Sequence, residues 1–521
     1  MSPHYSFAQA VRHALALGPE RIAIVDGEKR FTWRMFADRV ARLAGGFRAA
    51  GLTPNGRVVI VALNSHWVIE CFYGAAHAGG FAAPLSYRLS PAELAAQIAD
   101  CSPDVIVLGD SFAHLAEALA AAAPGKPTVL IAGPPGMGDG LKTLDEEIDL
   151  AQPIPDAGRG DDDLACLYYT SGTTNAAKGV MLSHANVATN TAQVYPLLDF
   201  EPSIVHLHHG PLFHTAAGAR LFSVTQAAGT HVFLPQSDAG RVTEAIVRHG
   251  VTHLTVVPTM LRTLLDDPAF AKADLSSLRY LSYGGAPMPE PLVREAMDRL
   301  PGIRFLQCYG MTELSPVATA LDWRDHLQGS ERLTSVGRPL SFVDLAIVDD
   351  QGVPVAPGER GEIAVRGPTV MQGYWNRPDL TAQTIRGGWL HTGDIGRLDD
   401  EGYLFLLDRR KDMIISGGEN IFSLEVERAL EAHPDVAQSA VFGRPHPHWG
   451  EAVHAVVTLH PTASATSEAA LIQHCRSLIA RYKCPRTIEI RDRPMPLSGA
   501  NKIMKNKLRD ELLAREYAVT A

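Results

Sequence analysis

Six β-type residues, Leu164–Tyr169, run into a cluster of small and hydroxyl side chains, Thr170, Ser171, Gly172, Thr173 and Thr174. The chain then reaches Lys178 before the apolar run Val180-Met181-Leu182. Polyphosphate demands three things of a protein: close backbone N–H donors, hydroxyls that turn toward any oxygen, and a mobile cation. Ser171, Gly172, Thr173, Thr174 and Lys178 supply all three. A Ser/Thr/Gly surface turn has the same composition, so the loop alone leaves both readings open. It is not a Walker A loop: five residues separate Gly172 from Lys178, and Gly179 rather than Ser or Thr follows the lysine.

The flanking sequence predicts an α/β fold. Val58–Leu63, Phe81–Leu85 and Asp104–Leu108 read as strands, Trp67–Ala78 and Pro91–Ala99 as helices, the second opened by Ser90 as N-cap. Such alternation predicts parallel sheets covered on both faces. It returns with helix Gly240–His249, strand Leu254–Val257, helix Met260–Leu265 and strand Leu278–Tyr283. From Ser335 the turns crowd together, and Val336–Pro339, Asp344–Val348, Gly361–Gly367 and Gly373–Trp375 predict a small β-barrel-like subdomain. Past the mixed-charge run Asp408–Asp412, helix Ser423–Ala432, strands Val436–Phe442 and Glu451–Leu459, and helix Ser467–Tyr482 predict a compact α+β unit. The expected division is a large N-terminal domain, 1–410, of two parallel-sheet subdomains plus the barrel-like one, and a small C-terminal domain, 411–521.

At 521 residues the chain holds a large core and more than one domain. Its 47 Lys and Arg against 57 Asp and Glu leave a net charge of −10, which argues against a nucleic-acid surface. Six scattered cysteines without CxxC spacing predict free thiols in a reducing compartment. No basic patch followed by an apolar core opens the chain, and no apolar run is long enough to span a bilayer, so a cytoplasmic protein without a transmembrane segment is expected. Oligomeric state is left open, a homodimer included. Gly133–Gly140 does not keep a GxGxxG register and reads as a linker; Asp161–Asp163 reads as a solvated connector. Four histidines fall between His206 and His214, but no Cys or carboxylate stands near them, which disfavours zinc.

The run Tyr169-Thr-Ser-Gly-Thr-Thr-Asn-Ala-Ala-Lys-Gly-Val180 resembles the first signature of the adenylate-forming superfamily of acyl-CoA synthetases, adenylation domains and luciferases. Asn175 stands where that family has Gly, and Ala177 where it has Pro; Asn tolerates left-handed backbone, so the turn can survive. Four further motifs follow in order: Gly284-Gly285-Ala286-Pro287, Tyr309-Gly310-Met-Thr312-Glu313, Thr392-Gly-Asp394, and the Lys502 turn within Pro496–Lys505, where Asn501 replaces a usual Gly. The resemblance implies ATP, Mg²⁺ and coenzyme A as cofactors and a small-molecule carboxylic acid as substrate. It implies adenine against Gly284–Pro287 and Gln307, Tyr309 stacking, Gly310 beside the substrate carboxyl and Thr312 on phosphate. Glu313 would hold Mg²⁺, Asp394 the ribose hydroxyls, and Arg409 ribose and phosphate. His214, after Phe213, would lie beside the acyl pocket and thioester tunnel. Lys411 would be the hinge of a mobile lid, with Ser416, Gly417 and Gly418 facing the pantetheine arm. Lys178, Glu313, Lys502 and His214 are the expected catalytic residues.

The implied reaction is carboxylic acid plus ATP to acyl-adenylate and pyrophosphate, then thioester formation with coenzyme A. Two rivals are a carrier-loading adenylation enzyme, whose carrier would be a separate protein, and a non-catalytic AMP-binding protein. Gly218, Gly285, Ala286 and Gly310 leave room for an aryl or medium-to-long-chain acid, with Phe222, Tyr283 and Val317 as lining. Arg220 is expected to face solvent rather than a second carboxylate.

Overall fold

The structure, a computed structural model, describes residues 5–137, 140–170, 177–327, 331–460, 463, 466–498 and 502–520, with backbone alone at Glu331 and 516–520. Two largely parallel sheets form the body of the large domain. The first orders its strands Thr128–Ala132, Val105–Gly109, Arg57–Val61, Phe81–Pro84 and Leu164–Thr170, all parallel. Lys178–Ser183 and then Gly373–Tyr374 are added antiparallel at one edge. Along Arg57–Val61, Val58 and Ile60 face one core with Phe36, Phe47 and Phe72, while Val59 and Val61 face another with Leu94 and Ile98. Burial on both sides is why this strand reads as an unbroken apolar run rather than an alternation.

The second sheet has nine strands. Six of them, Arg304–Gly310, Tyr280–Gly284, His253–Val256, Val205–His208, Thr230–Phe233 and Ile22–Asp26, are parallel; antiparallel strands finish both edges. A third sheet is antiparallel, built on the ten-residue strand Trp389–Leu398 and its neighbours Gly361–Arg366 and Leu404–Arg409. The C-terminal domain joins the antiparallel strands Ile414–Ser416, Glu419–Ile421, Val436–His446 and Gly450–Leu459 to a parallel Thr487–Ile490. The helices Ser423–Glu431 and Glu468–Leu478 pack on this sheet through Val426, Leu430 and Leu471.

Three expectations are corrected. Gly373-Tyr374 pairs with Val180 and Met181 in the first sheet, not with the barrel-like subdomain, and Arg338-Pro339 edges the second sheet beside Thr319 and Ala320. Short strands lack a pattern that names their partner, and here the partners lie far away in sequence. The helix expected to reach Tyr482 stops at Leu478: Ile479 turns extended, and Cys484 is drawn into the core, which unwinds the last periodic turn.

Between the helices Trp33–Ala49 and His66–His77, fully buried Glu70 receives Arg39 Nε at 2.5 Å, and Arg39 also reaches Asp145 at 2.6 Å. Removing one member of a buried ionic cluster strands its partner. Glu70→Ala is therefore expected to cost about 3 kcal/mol, read as a lower urea midpoint at unchanged slope.

Candidate active site

The strand Arg304–Gly310 carries the Tyr-Gly motif to the carboxyl edge of the second sheet, the end at which ligands collect in open α/β folds. A Cβ at Gly310 would lie 1.9 Å from the Pro316 carbonyl oxygen, so only glycine lets the chain double back there. The turn that follows brings Thr312 Oγ1 to 2.9 Å from Thr215 Oγ1 and buries Glu313. Glu313 Oε1 accepts the Tyr374 hydroxyl at 2.8 Å, and Lys178 Nζ lies 5.2 Å from the centroid of the same ring. Burial pushes the Glu313 carboxyl above its ordinary pKa, opposed by the Tyr374 hydrogen bond and by the charges of Lys178 and Arg409. Lys178 stands directly opposite Thr170 in an antiparallel pair. Ser171, Gly172, Thr173, Thr174 and Asn175 lie outside the described residues.

A second cluster sits beside the first. Tyr309 donates its hydroxyl to Asp394 Oδ2 at 2.8 Å, and Arg409 Nε lies 3.4 Å from Oδ1. Burial raises the pKa of both Tyr309 and Asp394. Asp394 lies within the strand Trp389–Leu398, not at its end; Gly393, with φ +73°, and a register slip at Ile395/Gly396 turn the carboxylate toward Tyr309.

Lys502 reaches this cleft from the C-terminal domain. Its turn is closed by Lys502 N–H to Ser498 Oγ at 3.2 Å and Ser498 N–H to the Lys502 carbonyl at 2.8 Å, and Ile503 packs toward Phe442, Met495 and Leu508. Burial, then the neighbouring Arg409 charge, lower its pKa to about 8, with Asp394 and Glu313 acting in the opposite sense. One lysine from one domain thus shares a field with three charged groups of the other. Asn501 lies outside the described residues.

Next to Lys411 is a network that the motifs do not announce. Asp408 accepts the Ser423 backbone N–H and, at 3.0 Å, its hydroxyl, capping the first helix of the C-terminal domain. Half-buried Lys505 reaches Ser423 Oγ and Glu427, both at 2.7 Å. Tyr374 likewise has no signal beyond its place in Gly-Tyr-Trp.

Ser416, Gly417 and Gly418 belong to the sheet of the C-terminal domain. They form a tight hairpin turn, φ +61° and +87° at the glycines, with the Gly417 amide on the Trp449 carbonyl at 2.9 Å. At Gly284 a Cβ would meet the Cys308 carbonyl at 2.2 Å, so the strand ends pressed against the neighbouring motif strand at Gly284, just before Gly285, Ala286 and Pro287. Gln307 is buried there, and its Oε1 has no hydrogen-bond partner among the described residues. His214 precedes the helix Thr215–Gln226, and the Phe213 ring meets Tyr87 edge-on at 5.0 Å. On that side a cavity of about 500 Å³ is lined by Tyr87, Arg88, His209, Pro211, Ser237, Asp238, Thr259 and, from the C-terminal domain, Leu497.

Of the expected acyl lining, Val317 pairs with Gly310 across the antiparallel strands. Phe222 instead stacks on Phe7 at 4.2 Å in the helical core, and the Tyr283 hydroxyl bonds His326 at 2.8 Å on the other side of the sheet. Arg220, expected in solvent, is 6 % exposed. Helix-face assignments fail where both faces are covered, because periodicity then carries no direction.

No group of three metal-ligating side chains occurs among the described residues. His208 instead bonds His231 at 2.9 Å, both held neutral by burial. A single buried carboxylate, Glu313, with lone pairs left beyond Tyr374, does fit Mg²⁺, which binds one or two carboxylates and completes its shell with phosphates and water. No helix among the described residues is long and apolar enough to cross a membrane.

A family model described as AMP-binding enzyme matches residues 11–375, and one described as AMP-binding enzyme C-terminal domain matches 425–502. A feruloyl-CoA synthase of an Amycolatopsis species is 40 % identical over 98 % of this chain and 96 % of its own. The indoleacetate–CoA ligase of Aromatoleum aromaticum is 35 % identical over 97 % of both. Among solved structures, ATP-bound MatB from Rhodopseudomonas palustris superposes with a TM-score of 0.87 at 30 % identity, covering 96 % of this chain and 98 % of its own.

Proposed function

Since this chain belongs to the AMP-binding enzyme family, we propose that it is an ATP-dependent, AMP-forming acyl-CoA ligase acting on an aryl or medium-to-long-chain carboxylic acid. What carries the reading is the meeting of Lys502 with Glu313, Asp394 and Arg409 in one cleft between the domains. An oxygen of the acid attacks the α-phosphorus of ATP and the bond to pyrophosphate breaks; the coenzyme A sulfur then attacks the acyl carbon and AMP leaves. The first step brings anions together, so cations fixed before the reaction supply most of the stabilisation. Asp394, kept in place by Tyr309 and Arg409, accepts from the ribose hydroxyls. Thr312 and the Thr170–Thr174 loop hold phosphate, and Lys178 and Lys502 face the charge that builds on it. Mg²⁺, held by Glu313 and phosphate oxygens, would add further neutralisation of that charge.

The small domain, 411–521, is the lid and Lys411 its hinge. Lys502 in the cleft suits the adenylation step. The cavity beside Phe213 and His214 is the route for the coenzyme A thiol, and the enzyme works in the cytoplasm. Acid-dependent pyrophosphate release, followed by thioester formation with free coenzyme A, tests the assignment. Thioester formed only on a carrier protein would favour the carrier-loading rival, and no pyrophosphate with any acid would favour the non-catalytic one.

Lys502 must be protonated to stabilise phosphate charge. With its pKa lowered to about 8, kcat/KM for ATP is expected to fall as pH rises through that value in the unliganded enzyme. Lys502→Arg, whose guanidinium stays charged, should remove this alkaline limb from the pH profile of pyrophosphate release.

A further inference from the structure

Two arginines are buried among the described residues, Arg491 and Arg220, and the first has an acid beside it: Arg491 binds Glu511 at 2.9 Å. Arg220, on the helix Thr215–Gln226, has no carboxylate partner among the described residues; its Nε lacks an acceptor, and its guanidinium meets the Cys308 thiol. Burial keeps that thiol protonated and the nearby His206, His208 and His253 neutral, so none of them answers the charge. A guanidinium cannot escape by losing its proton, and an unpaired one in the interior costs several kcal/mol.

The position of this charge points to what would pair with it. Thr215, at the start of the same helix, bonds Thr312 of the nucleotide motif, and Arg220 follows about 7.5 Å further along the axis at 1.5 Å per residue. Cys308 immediately precedes Tyr309. From the neighbouring helix, Gln193 donates to the Val317 carbonyl at 2.9 Å and leaves its buried Oε1 without a partner; Val317 is paired with Gly310. The Tyr168 hydroxyl, also buried and without a partner among the described residues, sits where a side chain on Gly218 would be. Arg220 Nε, Gln193 Oε1 and the Tyr168 hydroxyl are thus buried polar atoms with no partner among the described residues, and Arg220 at Cys308 and Gln193 at Val317 both lie against the strand pair that carries Gly310. Such groups are satisfied by protein, water or ligand.

We propose that Arg220 is the specificity-determining residue of the acid pocket, receiving an oxygen acceptor, phenolic or carboxylate, carried at the far end of the substrate acid. The inference rests on the acid-activating function above. It narrows the substrate from any aryl or fatty acid to one with a distal oxygen, because an apolar tail would leave the guanidinium and Gln193 unpaired in a dry pocket.

The test is pyrophosphate release by the full-length enzyme with matched acids: 4-hydroxycinnamate against cinnamate, 2-succinylbenzoate against 4-phenylbutanoate, and decanoate as an apolar tail. The wild-type kcat/KM is expected to favour an oxygen-bearing member of a pair by about 50-fold or more, and which pair shows it separates phenol from second carboxylate. Arg220→Met should abolish that preference and hold the KM for ATP, while Arg220→Lys should keep part of it. Wild-type preference for cinnamate, 4-phenylbutanoate or decanoate overturns the proposal while leaving acid activation intact, and needs no variant. So does an Arg220→Met enzyme that loses all acids equally. Absence of pyrophosphate release with every acid would instead defeat the functional assignment on which the proposal stands.

Discussion

Lys502→Ala is expected to slow acyl-adenylate formation by about 10²- to 10³-fold, the range for losing one pre-placed charge-stabilising group. Conversion of supplied acyl-adenylate and coenzyme A to thioester should stay within about 2-fold of wild type. The reason is geometric: in the pose described, Lys502 shares the cleft with Asp394, Arg409 and Glu313, whereas the Ser416–Gly418 turn of the same domain bonds Trp449 within that domain. Single-turnover assays of the two half-reactions measure this directly. Equal slowing of both halves would mean that Lys502 does not act in one step only, and the two-pose lid would fall.

Lys411→Pro should produce the reverse split. The turn at the domain junction is closed by the Asp412 and Met413 amides bonding the Arg409 carbonyl at 2.9 and 3.1 Å, so a proline at 411 removes neither bond. It does restrict the backbone dihedrals of 410 and 411 through which a rotation would have to pass. Adenylation should survive within about 3-fold while thioester formation drops by about 10²-fold, seen as acyl-adenylate accumulating on the enzyme. Slowed adenylation with normal thioester formation would place the hinge elsewhere. The Asp408, Ser423, Lys505 and Glu427 network tightens this expectation, since it ties the strand before the hinge to the first helix beyond it.

Much of the chemistry is legible in the order of residues. Glu313, Asp394 and Lys502 lie in short motifs whose side-chain types state what they bind, and all three converge on one cleft. The parallel sheets are legible too, because strands such as Arg57–Val61, apolar on both sides, announce helices on both faces. Tyr374 is not: its role on Glu313 depends on a two-residue strand pairing with Lys178–Ser183, almost two hundred residues earlier in the chain. Phe222, expected in the pocket lining, belongs to the core, and Arg220, expected in solvent, is buried. Both differences come from the helix Thr215–Gln226, which is buried without a break from Arg220 to Thr225.

Local sequence alone therefore determined the kinds of groups available for a nucleotide and an acid, since hydroxyls, carboxylates and lysines carry their chemistry wherever they stand. Tertiary structure decided which of them meet. Burial beside Arg409 sets the charge of Lys502, a distant tyrosine steadies Glu313, and packing leaves Arg220 without an acid partner. Electrostatic influence depends on separation and on the exclusion of water, and neither is written in the succession of side chains along a chain.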